Sequence, residues 1–203
     1  MNHLAHFHLA WPERELLAGA LEGDYCKGPL GSEIPAGLAR GVRLHRLVDA
    51  YTDQHPDLAL VRRAFPPGLR RYAGILLDLC FDHYLSLHWQ EFAELPLPDF
   101  NEQVLTALEE EQQLLGAPSR RAAQRFRQYR VLTRYQDWAM VTASAARVGE
   151  RLRRPNPLHD VDSALVPLRP LIEDAFLDFY PQLNRHVGEW RKATGDRIVN
   201  ASH

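Results

Sequence analysis

An all-α fold is what the patterning of this sequence predicts, and three observations carry that reading. No stretch alternates apolar and polar residues long enough to form a half-buried strand. Apolar residues recur instead at i, i+3, i+4 and i+7. Clusters of Pro and Gly then cut the chain into segments of helical length. At 203 residues the chain suits one domain with a sizeable core. We read residues 1–193 as a single helical domain and 194–203 as a polar tail.

The opening segment, Met1 to Trp11, carries His3, His6 and His8 in alternation. An extended chain would put His6 and His8 on one face, and a helix would separate them. A helix follows Pro12, which suits the first helical position, from Glu13 to near Lys27. Gly28, Pro29, Gly31 and Pro35 mark a loop. A second helix runs from near Ala36 to Thr52, with Leu44, Leu47, Val48 and Tyr51 as its apolar stripe. Asp57 can cap a short helix to Phe65, which Pro66, Pro67 and Gly68 stop. From Leu69 to Trp89 the pattern is apolar almost all round, so this helix should be central and buried. Asp99 caps a helix to near Leu115, and Ser119 opens a long one toward Val148. A last helix begins near Val161, is interrupted around Pro167 and Pro170, and reaches Lys192.

Composition excludes several classes. Hydrophobic residues are 45%, charged residues 25% and the formal net charge is -2, so nothing global points to nucleic acid. Cys26 and Cys80 have no paired spacing, which fits a reducing compartment rather than a disulfide scaffold. The start lacks a basic n-region, and no segment approaches the ~20 apolar residues of a membrane span. A cytoplasmic protein is the expectation.

The residues that could carry chemistry lie in the first half. On the buried helix, Asp78 and Asp82 share a face and His83 follows. Two carboxylates on an apolar face repel each other and resist burial, and a divalent cation would resolve both problems. Each Asp alone is as well explained by an arginine partner or a backbone cap; the three together point to metal binding or catalysis. His45, Asp49 and Asp53 form a second stripe at i, i+4 and i+8, either solvated or lining a cavity. Short carboxylates and imidazoles are metal ligands, which favours the cavity. By spacing, Asp24 is an exposed partner for Lys27. No phosphate-cradling Gly loop, G-x-S-x-G elbow, C-x-x-C pair or H-E-x-x-H motif is present.

These residues resemble the acyl carrier protein phosphodiesterase family. The opening Met1-Asn2-His3-Leu4-Ala5-His6-Phe7-His8-Leu9-Ala10 is similar to the family's start. Gly19, with Asp24 through Gly28, resembles its G-N-x-x-x-D-x-x-[KR]-G segment, with Ala20 in place of Asn. His45 to Asp49 with Thr52 and Asp53 resembles H-R-x-x-D-x-x-T-D, and Asp78 through Leu85 with Trp89 resembles D-x-x-x-D-H-x-L-x-x-x-W. The resemblance implies a fold akin to a distorted HD-type phosphohydrolase domain and a need for Mn²⁺ or Mg²⁺. It also implies hydrolysis of the phosphodiester between 4′-phosphopantetheine and a serine of acyl carrier protein, leaving the apo carrier.

On that basis Asp24, His45, Asp49, Asp78 and Asp82 are expected to form the metal and water shell, with His6 nearby. Asp24, Asp82, His83 and Arg46 are the expected catalytic residues. His83 would protonate the leaving alkoxide, since an unperturbed imidazole titrates near ~6.5. Arg46 or Lys27 would hold a phosphate oxygen. Arg120, Arg127, Arg130 and Arg134 fall on one face of the expected long helix, a basic surface for an acidic carrier. The competing readings are a phosphohydrolase of nucleotides or other small diesters, a non-catalytic carrier-binding module, and a redox metalloprotein.

Overall fold

The computed structural model describes residues 1–200, with side chains through residue 195. Its described residues form helices and no strand. In chain order these are α1 (His3–Ala10), α2 (Arg14–Glu22), α3 (Ala36–Gln54), α4 (Pro56–Ala64), α5 (Ala73–Leu87) and α6 (Trp89–Phe92). Then come α7 (Leu97–Glu110), α8 (Ala117–Tyr129), α9 (Trp138–Arg151), α10 (Asp162–Leu165) and α11 (Arg169–Asn200). No helix among the described residues is long and apolar enough to cross a membrane.

Helix α5 is the centre. Leu76, Leu77, Cys80, Phe81, Tyr84 and Leu85 are all buried, as its all-round apolar pattern requires. It packs against α1, α9 and α11. From α11, Phe176 and Phe179 stack on Phe81, and Phe176 meets Tyr180 at a centroid distance of 5.1 Å. Such ring contacts add to the burial of three large side chains. Pro181 lies inside α11 without ending it, and Thr194, the first residue of the expected tail, still belongs to that helix. The tail residues 201–203 lie outside the described residues.

The most intimate helix pair is α2 with α3. A Cβ on Gly19 would overlap the backbone of Leu38 and Gly41, and a Cβ on Gly41 would overlap Gly19 and Leu16. Only hydrogen at both positions lets the two backbones touch, which is the physical use of glycine at a crossing.

Of the two forms left open for the histidine segment, the structure has the helix, so His6 and His8 do not share a face. Two element expectations are corrected. The buried helix starts at Ala73 after a 3₁₀ turn over Arg70–Tyr72, and Trp89 opens α6 instead of closing α5. The expected Ser119–Val148 helix is two helices. Arg130 adopts a left-handed conformation (φ 49°) and closes α8, with its N–H donating to Arg127 O and that of Val131 donating to Phe126 O. This is the usual glycine-type helix stop built on an arginine, so no Gly or Pro announces it. A 3₁₀ turn, Leu132–Gln136, then leads to α9.

Candidate active site

Helices α1, α2, α3 and α5 meet at one end of that frame, and their acids and histidines converge there. Asp49 is the hub. His6 Nε2 lies 3.2 Å from its Oδ1 and His45 Nε2 lies 3.1 Å from its Oδ2. The His6 and His45 rings stack, with centroids 4.0 Å apart. His6, His45 and Asp49 each present a ligand atom within 4.8 Å of the others. Asp24 completes the group: its Oδ1 is 3.9 Å from His45 Nε2, and its Oδ2 is 3.3 Å from His3 Nδ1. Asp78 joins through the Met1 amino group, which donates to its Oδ1 at 2.9 Å and lies 3.7 Å from Asp49. The carboxylates of α3 and α5 thus face a shared positive charge.

The local sequence explains His45. Its Nδ1–H donates to the Ala20 carbonyl at 2.8 Å, across the glycine crossing of α2 and α3. Gly23 leaves space for the ring, since a Cβ there would overlap it. Position 20 acts here through its backbone carbonyl. With Nδ1 engaged by that carbonyl, Nε2 is the ring atom presented to Asp49 and Asp24. A histidine whose other nitrogen is held by a carbonyl is the common form of a metal ligand. Imidazole and carboxylate are both ligand types for divalent cations, so His6, His45 and Asp49 could hold one.

The electrostatics agree. Burial alone would raise the Asp49 carboxyl, but hydrogen bonds from His45 and His6 outweigh it and hold the group well below the usual carboxylate range. Burial, then the neighbouring His45, lowers the His6 imidazole to about 4. Burial also holds His3 below its ordinary value against the pull of Asp24, with the charges of His45 and Arg151 adding to the lowering. Burial raises the Asp78 carboxyl, against the opposing pull of the amino group.

Several expected residues do other work. Asp82 is fully buried and accepts the backbone N–H groups of Leu4 (2.7 Å) and Ala5 (3.1 Å). Both oxygens are thereby spent on capping α1, whose own N-cap residue, Asn2, makes no side-chain cap. Burial pushes this carboxyl up to about 7 against those two hydrogen bonds. His83 is turned away from the cluster: its Nδ1–H donates to Tyr135 O at 2.8 Å and its ring packs on Trp138 and Tyr84. One residue along a helix is a rotation of about 100°, which separates it from Asp82. Arg46 donates from one nitrogen to Cys26 O and Gly28 O, bracing the loop that carries Asp24 and exposed Lys27.

The basic helix face is also corrected. Arg120 donates to Leu115 O, and Arg127 is held by Glu102 and Glu109. Arg130 is the left-handed stop and Arg134 lies in the following 3₁₀ turn, so the four share no face. Sequence reasoning passed over His3, whose i, i+3 spacing from His6 becomes informative once the segment is read as a helix.

Over residues 1–183 the chain matches the family described as acyl carrier protein phosphodiesterase. The chain belongs to this family. A relative named acyl carrier protein phosphodiesterase from Escherichia coli O6:H1 (strain CFT073) is 32% identical over 189 residues, covering 90% of this chain and 95% of the relative. One of the same name from Klebsiella pneumoniae (strain 342) is 32% identical over 194 residues, covering 91% and 96%. Another from Enterobacter sp. (strain 638) is 31% identical over 192 residues, covering 90% and 95%. No solved structure matches the chain, so the expected HD-type likeness has no structural neighbour behind it. Membership in the family covers α1 through the first half of α11, the whole frame that builds the cluster.

Proposed function

We propose that this protein hydrolyses the phosphodiester joining 4′-phosphopantetheine to a serine of acyl carrier protein, in the cytoplasm, with a divalent cation at the histidine–aspartate cluster. The observation that carries the proposal is His45: its Nδ1–H is fixed by Ala20 O, and its Nε2 is aimed at the carboxylates of Asp49 and Asp24. Family membership supplies the reaction class.

Asp24, His45 and Asp49 would hold Mn²⁺ or Mg²⁺, with His6 and Asp78 beside them. When bound, such an ion neutralises a phosphodiester, which otherwise repels a nucleophile, and acidifies the attacking water. The chain's own groups do the rest. Asp49 stays ionised because two imidazoles hydrogen-bond to it. His3 positions Asp24. Lys27, exposed on the loop that Arg46 braces, is a cation able to approach a phosphate oxygen. Arg120, Arg130 and Arg134 are exposed but lie on separate elements, and Arg127 is engaged by glutamates.

The test is the mass of purified holo acyl carrier protein after incubation with this protein and Mn²⁺, beside a chelated control and Asp49→Ala. Loss of the phosphopantetheine mass, absent in both controls, is the expected result. An unchanged carrier with active wild-type protein on a small diester such as bis-(p-nitrophenyl) phosphate would overturn the carrier reading.

A further inference from the structure

Beside the cluster, α8 and α9 diverge from the left-handed stop at Arg130 and leave a cleft that opens next to Asp24. Its floor is Leu79 of α5 and the start of α1, and Phe126, Val131 and Val148 make its apolar walls. His3 belongs to both places, lining the cleft and bonding Asp24. Tyr25, the next residue in the chain, is 42% exposed and lies at the rim. Polar groups interrupt the apolar lining at Ser144 and at Tyr135, whose hydroxyl accepts from Asn2.

Arg125, Arg147 and Arg151 line the same cleft. All are exposed, and none forms an ion pair among the described residues. This contrasts with Arg127, one residue pair away from Arg125, which is tied to Glu102 and Glu109. Unpaired guanidinium groups gathered around an apolar slot, adjoining carboxylates and imidazoles of metal-ligand type, describe a site for a chain that is anionic at one end and alternately apolar and amide-like along its length.

We propose that this cleft between α8 and α9 binds the 4′-phosphopantetheine arm, with Arg125, Arg147 and Arg151 reading its phosphate end and Leu79, Val131 and Val148 receiving its aliphatic segments. The proposal rests on the carrier reading above and assigns the substrate's prosthetic group to residues outside the cluster. The arm enters past His3, so the diester lies at Asp24 while the chain beyond it is desolvated in the cleft. After cleavage the product keeps its phosphate against the arginines, so free 4′-phosphopantetheine is itself a ligand.

The test is calorimetric titration of the full chain with 4′-phosphopantetheine, pantetheine and AMP, with Mn²⁺ and with chelator. Arg125→Glu combined with Arg151→Glu removes the charge at exposed positions, and Ser144→Trp fills the slot without touching it; circular dichroism verifies folding of each. The expected result is binding of phosphopantetheine by the wild type that weakens by about tenfold or more in each variant and by a similar factor for pantetheine, which lacks the phosphate. Equal binding by folded variants, equal binding of pantetheine, tighter binding of AMP, or no binding by the wild type would overturn it. Failure of the carrier reading shows separately, as an unchanged mass of holo carrier with the wild-type protein. Cleft binding that persists in that case would still support the phosphopantetheine site.

Discussion

Asp49 and Asp82 were both expected in the metal shell and end with opposite roles. Asp49 faces His6, His45 and the positive charge of the Met1 amino group. Asp82 is committed to the peptide N–H groups of Leu4 and Ala5, which no water can replace at zero exposure. Removing a cap of this kind leaves two buried donors unsatisfied, at a cost of about 2–4 kcal/mol. Asp82→Ala should therefore lower the urea unfolding midpoint sharply. Asp49→Ala should keep most of the stability and lose Mn²⁺ affinity by at least about tenfold in calorimetry. If Asp82→Ala instead melts like the wild type, the capping role is wrong.

The glycines of α2 and α3 decide the geometry between elements. Gly19 and Gly41 let two backbones touch, and only at that separation does His45 of α3 reach the carbonyl of Ala20 in α2. Gly41→Ala forces the helices apart or bends one of them, an overpacking that costs about 1–3 kcal/mol. The first consequence is loss of the His45–Ala20 hydrogen bond, so Mn²⁺ affinity and melting temperature should fall together. Gly74→Ala is the control, because nothing lies within 4 Å of a Cβ there. Equal effects at both positions would mean that helix propensity, not the close crossing, is what glycine supplies. The α8 stop at Arg130 teaches the converse lesson: a left-handed turn can be built on a residue that gives no sequence warning.

Across the molecule, α11 packs along α5 and closes the core with Phe176, Phe179 and Tyr180. At the edge of that contact His88, just past α5, bonds Glu91 with one nitrogen and Glu173 of α11 with the other, at 2.9 and 2.8 Å. Both nitrogens facing carboxylates require the doubly protonated ring. Its burial lowers the pKa, but its hydrogen bonds to Glu173 and Glu91 prevail and raise it above its ordinary value. A histidine raised in the folded state contributes stability below its unfolded value near ~6.5, and that contribution is lost as pH rises through the folded value. The group is partly exposed and its partner Glu91 is exposed, so screening limits the effect to about 0.5–1 kcal/mol. Urea midpoints should thus show a slight loss in the wild type above neutral pH that Glu173→Gln diminishes. An identical pH profile in the variant would rule out the α5–α11 link.

The helical fold, the central place of α5, the loop after α2 and the acids and histidines of the first half all follow from local rules. Periodicity, Pro and Gly punctuation and the chemistry of Asp and His are properties of neighbours in sequence, and those determined the fold class and pointed to His45 and Asp49, whereas Asp24 and His6 entered only through the family resemblance. What only the packing decided is which side chains meet. Asp82 became a cap because α1 arrives end-on at α5, and His83 left the site because one residue turns a helix by about 100°. Arg125, Arg147 and Arg151 gathered around one cleft because α8 stops at Arg130 and α9 returns beside it. Sequence spacing gives direction along one helix, whereas a site is set by the separation and rotation of several, and these depend on contacts such as Gly19 with Gly41 that no single helix contains.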